Sequence, residues 1–551
     1  MFQKQFYGLI FMVCFWFAST ATTLGQGVYE AWVARYNGPG NLLDAAAAVA
    51  IDDDGNVYVT GRSSGSGSND DYATIKYKPN GDTLWVRRYE GTGNDYDDAV
   101  EVAVDDSGNV YVTGTSHGSG FISGFATIKY APNGDTDWVK FYGNSLLDYA
   151  YALAVDDSGY VYVGGNTYDT LSAYNFTTIK YAPNGDSLWA RHYDGGNNNF
   201  DEAYALAVDT SGNVYVTGYT YNNISFSDYT TIKYAPNGDT LWVRRYDGPD
   251  SLDDEAFDLA VDDSGNVYVT GHSQVSGFFV DADYATIKYS PNGDSLWVRR
   301  YNGPGDDVDG ANALAVDTAG NVYVTGGSIA SGASYDYATI KYAPNGDSLW
   351  VRRYDGMVND YDEAFALALD PAGNVYVTGR SIASGTGPDY VTIKYAPNGD
   401  TLWLKRYNGP DSFDDEATAL ALDSAGNVYV TGTSFGLGSD YDYATIKYSP
   451  CSDIPGDVNS SGTITLGDIV HLLNYLFDRD NPPCIGSDPG NCWDFGLTCR
   501  GDVNNSASIT LGDIVHLLNY VFDRDNPPCI GIDPGNCWTP VGSGACCLPL
   551  P

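Results

Sequence analysis

A motif of the form DxxGNVYVTG recurs eight times, with small variations, along this chain of 551 residues. The intervals between successive copies are 53, 51, 53, 53, 55, 53 and 53 residues. A fixed period of this length indicates a repeat architecture, in which each unit adds one supersecondary module to a shared core. The copies begin at Asp52, Asp105, Asp156, Asp209, Asp262, Asp317, Asp370 and Asp423.

Each repeat divides into four short runs that are typical of β-strands. In the fifth repeat these runs are FDLAVD, GNVYVTG, DYATIKY and DSLWVRRY. Val, Tyr, Thr, Ile and Trp fill the runs, while Gly and Asn punctuate them. The PNGD segment between the third and fourth runs is an Asn-Gly hairpin signal. Four short strands per unit predict one blade of a β-propeller.

The two ends of the repeat array predict how the propeller closes. PNGD occurs seven times, because the eighth unit stops after its third run at Pro450. The segment EAWVARYNGPG, residues 30–40, matches the fourth run and precedes the first complete unit. We therefore predict an all-β, eight-bladed β-propeller closed by one N-terminal plus three C-terminal strands, which would cover an exposed edge. The alternative is an open solenoid, which would leave the strand containing Trp32 without a partner.

The AxAVDxxGNVYVTG pattern resembles the bacterial β-propeller repeat of the SBBP type over roughly residues 30–450. Members of that family are often called seven-bladed, whereas this chain has eight units. The resemblance implies a propeller that serves as an extracellular module, and it names no ligand.

The N-terminus has the composition of a secretory signal peptide. Lys4 precedes an apolar run from about Leu9 to Ala18, and the small residues Ser19 and Ala21 follow. The run is too short to span a bilayer. We therefore expect a signal peptide over residues 1–26, a propeller over residues 28–450, no membrane span, and a secreted, extracellular or cell-surface location.

The cysteine distribution marks a second domain. Residues 15–450 contain no cysteine, and residues 451–551 contain eight. Such a segment in an exported chain predicts disulfides that stabilise a small domain. The duplicated segments PPCIGSDPGNC and PPCIGIDPGNC favour pairing Cys484 with Cys492 and Cys529 with Cys537. The partners of Cys451, Cys499, Cys546 and Cys547 stay open.

The charge of the chain argues against two classes of partner. A formal net charge of -43 would repel nucleic acid and anionic membrane surfaces. Of the 71 acidic residues, 64 are Asp, the acid that turns use for hydrogen bonds between side chain and backbone. Many of these aspartates are therefore expected to form side-chain hydrogen bonds within turns.

Two segments of the cysteine-rich region have the oxygen spacing of a calcium loop. The first ligand set is Asp457, Asn459, Ser461, Thr463 through its carbonyl, and Asp468. The second set is Asp502, Asn504, Ser506, Ser508 and Asp513. An apolar helical face follows each loop at i, i+3, i+4 and i+7 spacing. The sequence predicts two Ca²⁺ sites, and the alternative is a pair of metal-free turns held by disulfides.

Paired loops that each precede one helix resemble the type I dockerin repeats of secreted bacterial proteins, over roughly residues 455–540. We therefore expect a dockerin-like domain over residues 451–540 and a cysteine-containing tail over 541–551. The resemblance implies calcium-dependent folding and docking onto a cohesin-type module, often in polysaccharide degradation. Three features depart from the family: Ser at position 5 of both loops, Ala507 in place of Gly in the second, and a cysteine-bearing insert between copies 45 residues apart.

A column of aspartates precedes the first strand of every blade: Asp44, Asp97, Asp148, Asp201, Asp254, Asp309, Asp362 and Asp415. If the first strand lines the channel, these carboxylates form a ring at one mouth that would hold cations or a polyhydroxylated ligand. The structural alternative is that each Asp accepts backbone N–H bonds and fixes the loop between blades. That alternative explains why every unit keeps one.

Three classes of function stay open. The principal hypothesis is a non-catalytic secreted protein whose loops bind a ligand, such as a carbohydrate, while the tail binds a cohesin-type or other extracellular partner. The second is a carbohydrate-active hydrolase that uses Asp pairs in the channel. The third is a structural surface component. Ligand specificity is expected in the loops after the second strand, at residues 166–175, 219–228 and 272–283, whereas the one Trp per blade is expected to pack between blades.

Overall fold

The computed structural model describes residues 28–450 except 68, 93–94, 119–121, 146, 170–172, 197–198, 223–225, 276–280, 331–333, 357–359, 384, 386, 437 and 439. Within this part of the chain, 32 β-strands form eight antiparallel sheets of four strands each, and no helix occurs. None of the described residues belongs to a helix of the length and apolarity needed to cross a membrane.

The first strand, β1 (Val28–Tyr36), belongs to the last blade. Blades 1 to 4 contain β2 (Asp44–Ile51), β3 (Val57–Ser64), β4 (Asp70–Tyr77) and β5 (Thr83–Tyr89); β6 (Asp97–Val104), β7 (Val110–Gly118), β8 (Ile122–Tyr130) and β9 (Thr136–Ser145); β10 (Tyr149–Val155), β11 (Val161–Asp169), β12 (Ala173–Tyr181) and β13 (Ser187–Tyr193); and β14 (Asp201–Val208), β15 (Val214–Asn222), β16 (Phe226–Tyr234) and β17 (Thr240–Tyr246).

Blades 5 to 8 contain β18 (Asp254–Val261), β19 (Val267–Gln274), β20 (Ala282–Tyr289) and β21 (Ser295–Tyr301); β22 (Asp309–Val316), β23 (Val322–Ile329), β24 (Tyr335–Tyr342) and β25 (Ser348–Tyr354); β26 (Asp362–Leu369), β27 (Val375–Ile382), β28 (Pro388–Tyr395) and β29 (Thr401–Tyr407); and β30 (Asp415–Leu422), β31 (Val428–Phe435) and β32 (Tyr441–Pro450), with β1 as the fourth strand of blade 8.

The predicted closure of the ring is confirmed. β1 pairs antiparallel with β32, so that Tyr29 lies opposite Ser449 and Tyr36 lies opposite Tyr443. The sheet of blade 8 therefore has the order β1-β32-β31-β30, in which the two ends of the array meet. An open solenoid is excluded, because the first strand of blade 1 also contacts β30 and β31 of blade 8.

The first strand of each blade is the innermost. It contacts the first strands of both neighbouring blades all the way around the ring, so these strands line the central channel. Each first strand contains a β-bulge, which in blade 1 lies between Ala46 and Ala48. The bulge explains the last glycine of the motif, since a Cβ at Gly61 would lie 2.0 Å from the carbonyl oxygen of Ala45.

The tryptophans pack between blades, as predicted. The Trp85 ring of blade 1 lies 6.1 Å from Tyr58 of its own blade and 6.1 Å from Tyr130 of the next. Its Nε1 donates to the carbonyl oxygen of Pro132 at 3.3 Å. These residues belong to one buried cluster that spans both blades. Apolar contact between sheets therefore holds the ring together.

The DxxGN turns lie on one face of the propeller and are held by their aspartates. Asp317 accepts hydrogen bonds from Asn321 N at 2.8 Å, Asn321 Nδ2 at 2.7 Å and the Tyr323 hydroxyl at 3.0 Å. Gly320 adopts φ of 80°, a conformation that glycine reaches without strain. The linkers between blades and the loops after the second strands lie on the opposite face, termed here the loop face.

Candidate functional site

The aspartate column lies beneath the loop face, at or just before the start of each first strand. Every member is at most 1% exposed. Asp97 accepts hydrogen bonds from Gly91 N at 2.6 Å and from His117 N at 3.0 Å, and Asp362 accepts them from Gly356 N and Ile382 N. These contacts are those of a loop anchor, because the carboxylates are turned toward the loop backbone rather than exposed in the channel.

The pKa values of the two aspartate columns shift in opposite directions. Burial raises the pKa of Asp201 to about 7 and that of Asp309 to about 6, although backbone N–H donors partly offset the shift. In the DxxGN turns burial also acts to raise the pKa, but hydrogen bonds from Asn321 and Tyr323 outweigh it and lower the pKa of Asp317. The pKa is raised at Asp44, Asp97, Asp201, Asp254, Asp309, Asp362 and Asp415, and lowered at Asp52, Asp105, Asp209, Asp262, Asp317 and Asp370.

These opposite shifts predict a stability maximum at acidic pH. A carboxyl with a raised folded pKa loses its stabilising contribution as pH rises through that pKa, and one with a lowered pKa loses it as pH falls through that pKa. The melting temperature is expected to rise as pH falls from about 8 to about 5 and to fall below about pH 4. Scanning calorimetry across this range measures the profile.

Single Asp→Asn substitutions distinguish the effect of each aspartate column on this profile from the general loss of negative charge at low pH. Asp201→Asn is expected to flatten the slope between about pH 5 and 8, whereas Asp317→Asn is expected to lower stability throughout and to weaken the acid limb. A melting temperature that does not change between about pH 8 and 5 would contradict the assignment.

An arginine on the fourth strand links neighbouring blades on the loop-face side. Arg353 donates to Asp336 Oδ2 at 2.8 Å, to the Ser328 carbonyl oxygen at 2.7 Å and to the Tyr301 hydroxyl of the preceding blade at 3.1 Å. We call this arrangement the arginine clamp. Its ion pair recurs in five blades as Arg35–Asp442, Arg88–Asp71, Arg300–Asp283, Arg353–Asp336 and Arg406–Asp389. Blade 4 keeps the arginine as Arg245, which donates to the Tyr193 hydroxyl of the preceding blade at 3.2 Å.

Blades 2 and 3 replace the clamp with other residues. In blade 2, Phe141 stands in the arginine column and Gly124 in the aspartate column, and Phe141 lies so close over Gly124 that a Cβ there would meet its ring at 2.5 Å. In blade 3 the pair is His192 and Asn175. His192 Nε2 lies 2.9 Å from the Tyr142 hydroxyl, and its Nδ1 lies 2.9 Å from Thr177 Oγ1.

A cavity of about 870 Å³ opens where the two clamps are missing. We call it the blade 2–3 cleft. It is within the size range of small-molecule sites in proteins, roughly 300–1,000 Å³. It combines aromatic rings with carboxylates, an amide and an imidazole. The lining residues are Phe141, Tyr142, Gly143, Ser145, Asp148, Thr167, Tyr168, Asp169, Asn175, His192 and Asp194.

The imidazole of His192 is neutral at physiological pH. Burial lowers its pKa below the ordinary value, and the charges of Asp148 and Asp169 only partly counteract this effect. A neutral imidazole has one donor and one acceptor nitrogen, so His192 bonds to hydroxyl groups on both sides. The cleft therefore presents a neutral, hydrogen-bonding group where other blades present a guanidinium.

A second group of carboxyls lines the channel itself. Asp258, on the first strand of blade 5, accepts from Leu259 N at 2.8 Å and from Leu314 N at 2.7 Å. Glu101 has the equivalent position in blade 2. Burial raises the pKa of Asp258 to about 7; burial also raises that of Glu101 to about 7, with a further contribution from the charge of Asp258.

Several predicted residues lie outside the described part of the chain. They are both calcium-loop sets, from Asp457 to Asp468 and from Asp502 to Asp513; the cysteines Cys484, Cys492, Cys529 and Cys537; and the signal peptide over residues 1–26. The cleft includes Tyr168, Asp169 and Asn175 from the loop at 166–175, which was expected to carry specificity. Phe141 and His192 were missed, although their departure from the arginine column is visible in the sequence.

The fold and its repeated contacts define the class of the protein as a closed, eight-bladed β-propeller. Five stretches of the chain, residues 31–67, 84–122, 192–225, 241–279 and 296–332, match the family described as beta-propeller repeat, SBBP. The chain thus carries SBBP β-propeller repeats.

The chain is also similar to known proteins at low identity. It is 24% identical over 461 residues to an uncharacterized WD repeat-containing protein, L264, of Acanthamoeba polyphaga mimivirus. The alignment covers 65% of this chain and 31% of that relative. The chain therefore spans about a third of that relative's length.

Three solved structures show low similarity. A eukaryotic initiation factor has TM-score 0.38 and 8% identity, over 75% of this chain and 88% of the other. A puromycin hydrolase has TM-score 0.38 and 10% identity, over 71% and 59%. The polysaccharide lyase Uly1 has TM-score 0.39 and 11% identity, over 66% and 92%. At this level of similarity nothing about their activities is transferred to this chain.

Proposed function

We propose that the protein is a secreted, non-catalytic binding or scaffold protein whose propeller binds its ligand in the blade 2–3 cleft. The observation that carries this proposal is a local break in an otherwise repeated structure. Five blades form the ion pair of the arginine clamp and blade 4 keeps its arginine, whereas two consecutive blades lack the arginine and border a cavity of about 870 Å³. A structural residue is needed in every repeat, but a ligand site is needed only where the ligand binds.

The chemistry of the cleft suits a polyhydroxylated ligand such as a carbohydrate. Phe141 is 45% exposed and, with Tyr142 and Tyr168, offers flat apolar surface to the C–H face of a sugar ring. Asp169 and Asp194 can accept hydrogen bonds from hydroxyl groups, and His192 is neutral. An anionic ligand would be repelled by these acids. The proposal therefore specifies a neutral glycan.

The proposal assigns the cysteine-rich region an anchoring role. Residues 451–540 would form a dockerin-like module that binds Ca²⁺ and docks onto a cohesin-type or other extracellular partner, in an assembly that degrades polysaccharide. The support is the oxygen spacing of the two loops and the apolar helical face after each. Two carboxylates per loop suit the weak affinities of extracellular modules, roughly 10⁻⁴ to 10⁻³ M.

Calcium is expected to stabilise this region of the full-length protein. At a free Ca²⁺ concentration about ten times Kd, each occupied loop adds about 1.4 kcal/mol to the free energy of unfolding. Scanning calorimetry in Ca²⁺ and in EDTA measures the shift, and the propeller transition should not move. Asp457→Asn with Asp468→Asn should remove most of it, while Asp502→Asn with Asp513→Asn should remove less, because Ala507 weakens the second loop.

The control for the calcium experiment is Asp478→Asn with Asp480→Asn, which removes the same two negative charges outside the loops. It should leave the calcium-dependent shift intact. Equal melting in Ca²⁺ and EDTA would remove the metal from the proposal.

A second candidate function is the hydrolysis of a glycan in the channel. The favouring observation is the pair Glu101 and Asp258, whose pKa values near 7 suit proton transfer at neutral pH. The aspartate column is a poorer source of such a pair, because loop backbone groups already occupy its carboxylates.

One experiment distinguishes the functions. The full-length protein is incubated with a panel of neutral and acidic polysaccharides, and both retention and release of reducing ends are measured. Retention of a neutral glycan without turnover supports binding in the cleft. Turnover that is lost in Glu101→Gln supports the hydrolase, and neither retention nor turnover would leave a structural role.

A further inference from the structure

The channel mouth at the loop face has an uneven distribution of charge. The residue after each aspartate of the column lies on the first strand, and around the ring these residues are Ala45, Asp98, Tyr149, Glu202, Glu255, Gly310, Glu363 and Glu416. Five of the eight are acidic. A group of carboxylates alone does not define a site, so the surroundings of each decide what it can bind.

In blade 7 the protein fills this position with its own cation. Arg380, on the second strand, forms ion pairs with Glu363 at 3.3 Å and with Glu416 of the next blade at 3.2 Å. Its guanidinium lies over the ring of Tyr361, 4.5 Å from the centroid, and 5.4 Å from that of Phe365. Two carboxylates and two aromatic rings thus hold one guanidinium.

Blade 4 has the same arrangement without the cation. Glu202 and Glu255 correspond to Glu363 and Glu416, because Glu202 lies opposite Tyr219 just as Glu363 lies opposite Arg380. Phe200 and Tyr204 stand where blade 7 has Tyr361 and Phe365. Tyr219 replaces the arginine, and no cationic side chain of the described residues lies within 4.0 Å of either glutamate.

Aromatic groups lie beside the first of these glutamates, Glu202. The Tyr204 hydroxyl donates to Glu202 at 2.8 Å, and the Tyr204 ring lies 5.8 Å from that of Tyr219 and 5.7 Å from that of Phe257. Burial, together with the charges of Asp253 and Glu202, raises the pKa of Glu255 to about 7. A cation here would relieve the repulsion between the carboxylates and contact aromatic faces.

We propose that the channel mouth at blades 4 and 5 binds an alkylguanidinium or similar organic cation between Glu202, Glu255, Tyr204 and Tyr219. The ligand is either a free small molecule or an arginine side chain of a partner protein, since both present the same group. This site lies on the innermost strands and is separate from the blade 2–3 cleft. Its failure would therefore leave the glycan proposal untouched.

The test is calorimetric titration of the full-length protein with ethylguanidinium, at about pH 8 so that Glu255 is ionised and in EDTA so that calcium is excluded. Ethylguanidinium is expected to bind at one site, and neutral ethylurea about tenfold or more weakly. A capped Gly-Arg-Gly peptide is titrated in parallel. Tighter binding of the peptide identifies a protein partner, and tighter binding of ethylguanidinium identifies a small molecule.

Three substitutions at the channel mouth test the site directly. Tyr219→Arg places a guanidinium on the strand position that Arg380 has in blade 7, so it should abolish binding. Arg380→Gln empties the blade 7 arrangement and should raise the number of sites from one to two. Glu255→Gln keeps size and shape and should weaken binding about tenfold or more. Melting curves verify that each variant folds.

Three outcomes would overturn the assignment: no binding of ethylguanidinium, equal binding of ethylurea, or unchanged binding in both Tyr219→Arg and Glu255→Gln.

Discussion

Deletion of residues 28–36 is expected to abolish cooperative folding of the propeller. These residues form β1, the fourth strand of blade 8. Their loss removes Trp32, whose ring lies 6.1 Å from Tyr77 and 6.0 Å from Tyr429, and also the clamp between Arg35 and Asp442. Truncating a buried Trp costs about 3–5 kcal/mol, and Trp32 is partly buried; domains unfold at about 5–15 kcal/mol. Loss of the strand also removes the backbone hydrogen bonds between β1 and β32. The uncovered edge of β32 promotes aggregation.

Relocating the strand provides a matched control. In the relocated chain, residue 37 comes first, and Asn-Gly-Asp followed by residues 30–36 is inserted between Pro450 and the cysteine-rich region. The register permits this, because Tyr448 lies opposite Glu30 just as Tyr77 lies opposite Thr83 in blade 1, where a PNGD turn joins the strands. The relocated chain is expected to unfold within about 2 kcal/mol of the natural order.

Circular dichroism and size-exclusion chromatography distinguish the deleted chain from the relocated one. If the deleted chain melted cooperatively at the temperature of the full chain, the closure of blade 8 by β1 would contribute little, which would contradict the central structural inference.

Restoring the clamp in blade 3 is expected to remove glycan binding and to increase stability. The double variant His192→Arg with Asn175→Asp introduces the pair that five other blades use, and Thr167 and Tyr142 provide the remaining acceptors in the same register. The arginine side chain would fill the blade 2–3 cleft. Retention of the glycan is expected to fall about tenfold or more, while the free energy of unfolding rises by about 1–2 kcal/mol.

The reverse exchange in blade 6 is the control for that experiment. Arg353→His with Asp336→Asn converts an intact clamp into the blade 3 pair, and it should lower the free energy of unfolding by about 1–3 kcal/mol without changing glycan retention. Affinity electrophoresis and thermal melting measure both effects. Undiminished retention in the blade 3 variant would show that the glycan binds elsewhere.

Much of the architecture was predictable because it depends on local rules. The four strands of each blade follow from β-branched runs and PNGD turns, and the closure follows from the alignment of Trp32 with the other tryptophans. The DxxGN turns were also predictable, since Asp317 bonds to residues two to six positions ahead. The sequence did not show whether the carboxylates of the column from Asp44 to Asp415 point into the channel or toward the loop backbone, because both positions suit a carboxylate.

The sites were less predictable, because contacts between blades create them. The β-bulge in each first strand breaks the two-residue alternation, so the alternating pattern cannot show that Glu101 and Asp258 face the channel. His192 is one unremarkable substitution in a repeat until Tyr142 of the neighbouring blade is placed against it. Glu202 and Glu255 form a pair only because consecutive blades meet at the axis.

The amino-acid sequence by itself determined the blade and its turns, because hydrogen bonds and apolar periodicity within about fifty residues specify them. The number of repeats and the match of residues 30–36 to the fourth strand determined the number of units and the strand that closes the ring. Only the tertiary structure decided which carboxylates anchor loops, where the arginine clamps are missing and which glutamates at the channel mouth have no ion-paired arginine. Those features depend on groups far apart in the chain, as with Arg35 and the Tyr407 hydroxyl, which lie 372 positions apart and 3.1 Å from each other once the ring has closed.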